Sequence, residues 1–277
     1  MKRVILAAAV AMAAVVSWPA QERLTFAVVG DRTGEAQDAV YEQVLKEAVA
    51  ERPAFILTTG DSIEGLHDET AEAQWRAAQT IWKAHREIPL YVAAGNHDIW
   101  SDASEKLFRR YTGRAPRFSF DSGPVHVTVL DNSRSDELSA EDLAFLESDL
   151  KAHAAAQVKI IAMHRPSWII PVALGNSEFP LHKIAKQYGV RNVIAGHVHQ
   201  MLRFELDGIT YLSMPSAGGH LRLSKAYEDG WFFGRARATV TGREVDFAIV
   251  EAKAPHGQGR VTHPTDWGAA GLRARKP

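Results

Sequence analysis

The sequence predicts an α/β fold, because short runs rich in β-branched residues alternate with stretches whose apolar residues recur at helical spacing. The runs that predict strands and end in polar clusters are Leu24–Val29, Ala54–Thr58, Pro89–Ala93, Lys159–Met163 and Asn192–Ala195. The stretches that predict helices are Gln37–Arg52, Glu69–Arg86, Ser104–Tyr111, Glu141–Ala154 and Pro180–Tyr188. This alternation is typical of parallel strands that are connected by helices.

Three further runs favour strands that need no intervening helix. They are Val125–Leu130, Gly208–Leu212 and Val245–Val250, whose residues alternate as in a strand with one buried face. Hairpins are therefore expected beside the parallel units. The Ser139 side chain precedes two acidic residues, Glu141 and Asp142, which predicts the start of a helix there.

Length and charge indicate one catalytic domain with a sizeable core. The chain has 277 residues, of which 46% are hydrophobic and 23% are charged. Its 32 basic and 33 acidic residues leave a net charge of −1, so no stable nucleic acid partner or anionic membrane partner is predicted. The sequence does not determine the oligomeric state.

The two ends of the chain differ from its centre. Lys2 and Arg3 precede an apolar run over Val4–Val16, which is typical of a secretory signal and is short for a membrane span. We expect a signal peptide over residues 1–20, a domain over 21–254 and a loosely ordered tail over 255–277 that is rich in Gly, Pro and basic residues. The protein would then be periplasmic or secreted, without a membrane span after signal removal; an uncleaved anchor is the alternative.

Five polar clusters follow predicted strands, where open α/β folds bind ligands. They are Gly30–Thr33, Gly60–Glu64, Gly95–Asp98, His164 and Gly196–His199. A single Gly-Asp pair after a strand can be an ordinary turn, and a single histidine can be structural. Together they would bury carboxylates and imidazoles side by side, which is costly unless the groups coordinate metal or pair. The chain has no cysteine, so any metal would take oxygen and nitrogen ligands, which suit Mn, Zn, Fe, Mg or Ni.

The ordered set of clusters resembles the calcineurin-like metallophosphoesterases over Thr25 to Gly219. The resemblance implies a metallophosphoesterase-type sandwich of two mixed β-sheets flanked by helices. It also implies hydrolysis of phosphate monoesters or diesters through a hydroxide that two divalent metal ions activate. The metal ligands that it implies are Asp61 between the two ions, Asp31 and His199 on one, and Asn96, His164 and His197 on the other.

The same resemblance assigns catalytic roles to His97 and Asp98. His97 would stabilise the transition state or protonate the departing oxygen, and Asp98 would orient its ring and stabilise its charge. In much of the family the first block supplies a histidine where this chain has Thr33. The purple acid phosphatases also lack that histidine, and they place a tyrosine at the offset that Glu64 occupies here. We hypothesise that Glu64 approaches the first metal, directly or through water; the alternative is that it only supports ligands.

The substrate is expected to be a small phosphorylated molecule, with nucleotides among the candidates. Arg32 and Arg165 follow two predicted ligands and could grip phosphate, or they could be solvated surface residues. The small-residue segment Ser213–Gly219 resembles a family turn, which would place His220 and Arg222 at the rim of the site.

Two other functional classes compete with the phosphoesterase. Loss of one metal at Thr33 would leave a non-catalytic or single-metal envelope binding protein, although the His97-Asp98 pair argues for catalysis. A metal-dependent amide hydrolase is disfavoured because the chain lacks the His-Glu-x-x-His pattern. The histidines without a motif are expected to be surface or packing residues, and they are His67, His85, His126, His153, His182, His256 and His263.

Overall fold

The computed structural model describes residues 23–221, 226–253 and 255–267. The predicted signal peptide and Arg222 lie outside these residues. The strands are β1 (Arg23–Val29), β2 (Ile56–Thr58), β3 (Leu90–Val92), β4 (Phe118–Ser122), β5 (Val125–Val129), β6 (Val158–Ala162), β7 (Asn192–Ala195), β8 (Leu202–Leu206), β9 (Ile209–Ser213), β10 (Gly234–Thr241), β11 (Glu244–Glu251) and β12 (Val261–Thr262). The α-helices are α1 (Asp38–Ala50), α2 (Asp68–Lys83), α3 (Asp102–Thr112), α4 (Ala140–Ala152), α5 (Ile169–Ala173) and α6 (Pro180–Gln187).

Two six-stranded sheets contain all of these strands. The first sheet has the order β12-β11-β10-β1-β2-β3 and the second has the order β4-β5-β6-β7-β9-β8. Strands β1, β2 and β3 run parallel, whereas β10, β11 and β12 join beside β1 in antiparallel pairs. In the second sheet β5, β6, β7 and β9 run parallel, and β4 and β8 pair antiparallel at the edges. The predicted sandwich of two mixed sheets is therefore confirmed.

The core between the sheets follows from the alternation of side chains along each strand. On β1, Phe26 and Val28 belong to the cluster between the sheets, whereas Ala27 and Val29 belong to a separate cluster with α1. The Phe55 ring meets the edge of the Phe120 ring with centroids 5.1 Å apart, which joins the first sheet to the second. The outer face of the second sheet is covered in the same way by α4 and α6.

Helix starts follow local capping chemistry. The Ser139 hydroxyl accepts a hydrogen bond from the Asp142 amide at 3.0 Å, which confirms the predicted start of α4. Ser101 caps α3 through the amide of Ser104 in the same way. Helix α3 therefore begins at Asp102, two residues before the predicted start.

Residues 255–267 of the predicted tail lie within the described part of the chain. Val261 and Thr262 pair with β11, and the Trp267 side chain lies in the cluster between the sheets. The Trp267 Nε1 donates a hydrogen bond to Thr262 Oγ1 at 3.0 Å. One buried indole and one short strand pairing therefore hold this segment against the sheet, although its composition is rich in Gly and Pro. Within the described residues no helix is long and apolar enough to cross a membrane.

Candidate metal centre

Loops at the carboxyl ends of β1, β2, β3, β6 and β7 bring the six predicted ligands together. His199 Nε2 lies 3.2 Å from Asp31 Oδ2, and His164 Nε2 lies 3.3 Å from Asp61 Oδ1. Asn96 Oδ1 and His197 Nδ1 lie 3.0 Å and 3.2 Å from His164 Nε2. Among these six residues, two groups have ligand atoms close enough to hold an ion, and they are Asp61 with His164 and His197, and Asp61 with Asp31 and His199. Asp61 belongs to both groups, which is the arrangement that a bridging carboxylate requires.

Carbonyl oxygens orient two of the imidazoles. His164 Nδ1 lies 2.8 Å from the Thr59 carbonyl oxygen, and His199 Nδ1 lies 2.6 Å from that of His220. A carbonyl only accepts hydrogen bonds, so each Nδ1 carries the hydrogen and each Nε2 is left as the donor atom for a metal. Both Nε2 atoms are on the side of the aspartates.

The Asp61 carboxylate provides a test of whether metal fits the site. Its side chain is buried, and its Oδ1 accepts a hydrogen bond from the His97 amide at 2.9 Å. Its Oδ2 is buried and has no hydrogen-bond partner within the described residues. An ionised oxygen in that state costs free energy unless a cation compensates it. A donor set of carboxylate, amide and imidazole around this oxygen therefore fits divalent ions.

Strained backbone positions three of the ligands. Asp61, His197 and His199 have φ angles of 55°, 69° and 53°, in the left-handed region that disfavours residues with a side chain. Such strain persists where surrounding contacts over-determine it, and it concentrates at functional sites. Two glycines permit the close packing, because a Cβ on Gly95 or Gly196 would lie 2.2 Å or 2.3 Å from a carboxylate oxygen of Asp61 or Asp31.

The charges in the centre act strongly on one another. Burial alone would lower the pKa of His164, but the charges of Asp61 and Asp31 outweigh it and raise that pKa to about 9. Burial would raise the pKa of Asp61, yet the His164 charge and hydrogen bond hold it well below its usual range. Burial and the His164 charge lower the pKa of His197 to about 4. A cation bound at His164 would therefore have to replace a proton, and metal affinity would then rise with pH.

His97 lies beside the aspartate that the two groups share. Its Nδ1 lies 2.5 Å from the Glu64 carbonyl oxygen, so that nitrogen carries a hydrogen. Its Nε2 is then the ring atom that can give or take a proton. The ring is half-buried, which leaves it accessible to a ligand.

The described hydrogen bonds of Asp98 are with backbone amides, and its predicted role toward His97 stays a prediction. Its Oδ1 accepts a hydrogen bond from the Ser62 amide at 2.8 Å, and its Oδ2 accepts one from the Gly95 amide at 2.9 Å. Burial, followed by the charge of Asp61, raises the pKa of Asp98 to about 7. The carboxylate ties the loop after β2 to the loop after β3, and the backbone carbonyl of Glu64 holds the His97 ring.

The geometry of Glu64 favours a supporting role over direct ligation. Its Oε2 accepts a hydrogen bond from the Gly34 amide at 3.1 Å, and its Oε1 accepts one from the Ala36 amide at 2.8 Å. Both oxygens therefore hold the loop that contains Thr33. The Thr33 side chain is buried, and its hydroxyl has no hydrogen-bond partner within the described residues.

The described residues that were predicted to contact substrate differ in their exposure and in their hydrogen-bond partners. Arg32 is buried and donates to the Ser62 carbonyl at 2.8 Å and to Asp38 at 2.6 Å, so it links two loops and is not exposed to a substrate. His220 Nδ1 lies 2.9 Å from the Gly34 carbonyl oxygen, with its ring 5.3 Å from that of His199. Arg165 is partly exposed and binds Asp136 at 2.5 Å.

Asn132 is a positioning residue that the sequence interpretation missed. Its Oδ1 accepts hydrogen bonds from the amides of His164 and Arg165 at 3.1 Å and 3.0 Å, and its Nδ2 donates to the Arg165 carbonyl at 2.8 Å. These bonds fix the loop that carries His164. The signal in the sequence was another polar cluster at the end of a strand, Asp131-Asn132-Ser133 after β5.

A family comparison gives the same assignment as the fold and the order of the candidate ligands along the chain. The family model for calcineurin-like phosphoesterases matches residues 24–201. The chain belongs to this family. That range includes all six residues of the metal centre and ends before the small-residue turn at Ser213–Gly219.

Curated relatives include both phosphatases and phosphodiesterases. The chain is 30% identical to a 3',5'-cyclic-nucleotide phosphodiesterase of Nostoc sp., over 62% of this chain and 66% of the relative. It is 26% identical to the human tartrate-resistant acid phosphatase type 5, over 83% and 87% of the two chains. It is also 26% identical to purple acid phosphatase 15 of Arabidopsis thaliana, but it matches only 32% of that protein's length.

Solved structures share the fold at low sequence identity. A purple acid phosphatase from yellow lupin superposes with a TM-score of 0.66 and 15% identity, over 88% of this chain and 53% of that chain. GAP50, described as the anchor in the inner membrane complex of Plasmodium, superposes with a TM-score of 0.63 and 15% identity, over 92% and 90% of the two chains.

Proposed function

We propose that the protein hydrolyses phosphate esters with two divalent metal ions bound at the candidate metal centre. The observation that carries the proposal is Asp61, which both ligand groups share and whose Oδ2 is buried without a hydrogen-bond partner among the described residues. A carboxylate in this position suits two cations rather than one. Relatives named as acid phosphatases and as a cyclic-nucleotide phosphodiesterase support this reaction class.

The chain would hold one ion with Asp31, Asp61 and His199, and the other with Asp61, Asn96, His164 and His197. When bound, two such ions would polarise a phosphoryl group and lower the pKa of a coordinated water molecule. The carbonyl oxygens of Thr59 and His220 keep two of the imidazoles in the tautomer that leaves Nε2 available.

His97 supplies the proton that hydrolysis of an ester requires. When water adds to phosphorus, the bond from phosphorus to the leaving oxygen breaks and that oxygen must gain a proton. His97 Nδ1 is held by the Glu64 carbonyl, so a proton on Nε2 can be delivered to the leaving oxygen. Asp98 contributes indirectly by joining the loops that carry Asp61 and His97.

The substrate class is a small phosphorylated molecule, a monoester or diester. Arg165 directly follows the ligand His164 and is partly exposed, so it is the cation best placed to meet a phosphoryl oxygen. Asn132 fixes the backbone on both sides of it. Nucleotides are candidate substrates, and the similarity to the Nostoc phosphodiesterase favours including cyclic ones.

A phosphoester panel tests the proposal. The metal-free protein would be loaded in turn with Mn, Zn, Fe, Mg and Ni and assayed with p-nitrophenyl phosphate, bis-p-nitrophenyl phosphate and cyclic nucleotides. We expect turnover that requires metal and disappears in Asp61→Asn. If no loaded form hydrolyses any of these esters, the non-catalytic or single-metal binding protein becomes the better interpretation.

We also infer that the enzyme acts after export. Lys2, Arg3 and the apolar run Val4–Val16 have the charge and length of a secretory signal. Expression of the full chain in a bacterium, followed by fractionation and mass spectrometry of the amino terminus, tests this. A protein that retains residues 1–20 in the cytoplasm would contradict it.

A further inference from the structure

A second cluster of histidines and carboxylates lies away from the metal centre, and we call Asp121, His126, His153 and Asp149 the remote cluster. Asp121 is on β4, His126 is near the start of β5, and His153 directly follows α4. The candidate metal centre lies at the carboxyl ends of the parallel strands, so the remote cluster is at the opposite edge of the second sheet. From the sequence alone, His126 and His153 were expected to have only surface or packing roles.

Donor atoms of three residues in the remote cluster face one another. Asp121 Oδ1 lies 2.8 Å from His126 Nδ1, and Asp121 Oδ2 lies 3.9 Å from His153 Nε2. The two imidazole rings are stacked with centroids 3.8 Å apart. A distance of 3.9 Å is too long for a hydrogen bond, but one zinc ion with bonds of about 2.0–2.2 Å to each atom can still span it after a small side-chain adjustment.

Asp149 fixes the orientation of both imidazoles. Its Oδ2 lies 2.9 Å from His126 Nε2, and its backbone carbonyl lies 2.8 Å from His153 Nδ1. When His126 is neutral and Asp149 holds its hydrogen on Nε2, His126 Nδ1 and His153 Nε2 are the atoms left to bind a cation near Asp121. A carboxylate behind a metal-binding histidine is a common way to set its tautomer and raise its basicity.

Hydroxyl groups in turn hold Asp149 in place. Thr128 Oγ1 donates to its Oδ2 at 2.6 Å, and Ser119 Oγ donates to its Oδ1 at 2.7 Å. The carboxylate is therefore buried with both oxygens hydrogen-bonded. This makes the rear of the remote cluster rigid before any cation binds.

The front of the remote cluster is open to solvent. The side chain of Asp121 is 60% exposed, that of His153 is 34% exposed and that of His126 is fully buried. Asp121 and His153 line a surface cavity that also contains Gly123 and Gln157. An ion can therefore enter from solvent, and water can complete its coordination.

We propose that the remote cluster binds one divalent cation of the zinc class through Asp121, His126 Nδ1 and His153 Nε2. Two imidazoles and one carboxylate suit zinc, which then keeps a position for water. The charges also balance, because two carboxylates, Asp121 and Asp149, offset the cation while both imidazoles stay neutral. The bound ion would join the β4–β5 hairpin to the end of α4 and stabilise the fold.

The competing state is a proton in place of the cation. Between two carboxylates, His126 can carry hydrogen on both nitrogens and bind Asp121 and Asp149 at once. In that state both ring nitrogens of His126 have hydrogen-bond acceptors. The state gives no reason for His153 Nε2 to face Asp121. The contribution of His153 therefore distinguishes a metal site from a protonated ion pair.

Counting bound zinc tests the proposal. The full protein would be dialysed against zinc and analysed for metal in parallel with His153→Gln, Asp121→Asn and the control His67→Gln, in which an exposed histidine beside Glu69 is changed. We expect the wild type and the control to bind one zinc ion more than His153→Gln and Asp121→Asn. Phosphoester turnover should be the same in all four proteins.

The same comparison in an Asp61→Asn background separates this site from the metal centre. There the difference of one zinc ion should remain, and zinc should raise the melting temperature more than in the double variant Asp61→Asn with His153→Gln. Both substituted residues of the remote cluster reach solvent, so folded variants are expected. Equal zinc content in the wild type, His153→Gln and Asp121→Asn would overturn the proposal.

Discussion

The candidate metal centre and the remote cluster use the same residue types, but they assemble them differently. The metal centre collects ligands from five loops of both sheets, between Asp31 and His199, and three of its ligands have left-handed backbone. The remote cluster takes its groups from one hairpin and the helix that follows, between Asp121 and His153. None of its four residues has a positive φ.

This difference teaches what each kind of site requires. A centre with a shared carboxylate needs side chains to converge from many directions, which the loops achieve with backbone strain and close glycine contacts. A site for one ion can be built from a cross-strand pair, since Asp121 is opposite His126 in the register of β4 and β5. The first arrangement suits chemistry, and the second suits stabilisation.

The largest difference in activity between the two sites should come from changing one aspartate in each cluster. Asp61→Asn should lower kcat/KM for phosphoesters by roughly 1000-fold or more, because it removes the charge shared by the two ligand groups. Asp121→Asn should leave kcat/KM unchanged. Steady-state kinetics on metal-loaded proteins measure both, and a loss of turnover in Asp121→Asn would break the proposed separation of roles.

A histidine that moves protons should differ from one that only binds metal. His97→Ala should lower kcat by about 100-fold while the metal content stays the same, because its proposed role is proton delivery. The control His67→Ala changes an exposed histidine and should leave kcat unaltered. Kinetics combined with metal analysis check this, and metal loss in His97→Ala that matched its loss of activity would assign it a different role.

The loop contacts of Glu64 beside the metal centre should contribute more to the free energy of unfolding than to the number of bound metal ions. Glu64→Ala removes a carboxylate that accepts two backbone hydrogen bonds, so the free energy of unfolding should fall by about 1–3 kcal/mol. The number of bound metal ions should not change. Urea denaturation and metal counting measure this, with the exposed Glu69→Ala as the control. Loss of one metal ion in Glu64→Ala would restore the direct-ligand hypothesis.

The remote cluster should make a smaller, pH-dependent contribution in metal-free protein. Burial lowers the pKa of His126, but Asp149 and Asp121 outweigh it and raise that pKa above its ordinary value. A histidine with a raised pKa stabilises the fold fully below its ordinary pKa of about 6.5. This contribution is lost as pH rises through the raised pKa. The free energy of unfolding should therefore fall more steeply above pH ~6.5 in wild type than in His126→Gln. Equal slopes would contradict the predicted ionisation.

The polar clusters of the candidate metal centre were predictable because each follows a strand that the sequence reveals locally, whereas the resemblance to the family implied the ligand set. Parallel strands place their carboxyl ends at one edge, so Asp31, Asp61, Asn96, His164 and His197 were expected together before any contact was known. The glycines beside them predicted close approach of the backbone, which the Cβ distances at Gly95 and Gly196 bear out. The helix start at Ser139 was also a local property.

The partners of the supporting side chains depended on the tertiary structure. The sequence pairs His97 with the adjacent Asp98, but folding turns Asp98 toward the Ser62 and Gly95 amides and places the Glu64 carbonyl against the His97 ring. Such choices arise where distant loops meet, and neighbouring positions in the chain do not encode them. The buried position of Trp267 also depends on packing between distant segments, because its side chain lies in the cluster between the sheets.

By itself the sequence determined the α/β class, the oxygen and nitrogen character of the ligand set and the strand ends that present it. The resemblance to the family already implied that Asp61 lies between two ions, whereas only the tertiary structure decided that Glu64 holds a loop and that Asp149 orients His126 and His153 toward Asp121. The physical reason is that periodicity and turns are local, whereas hydrogen-bond partners and ligand geometry depend on which segments pack together.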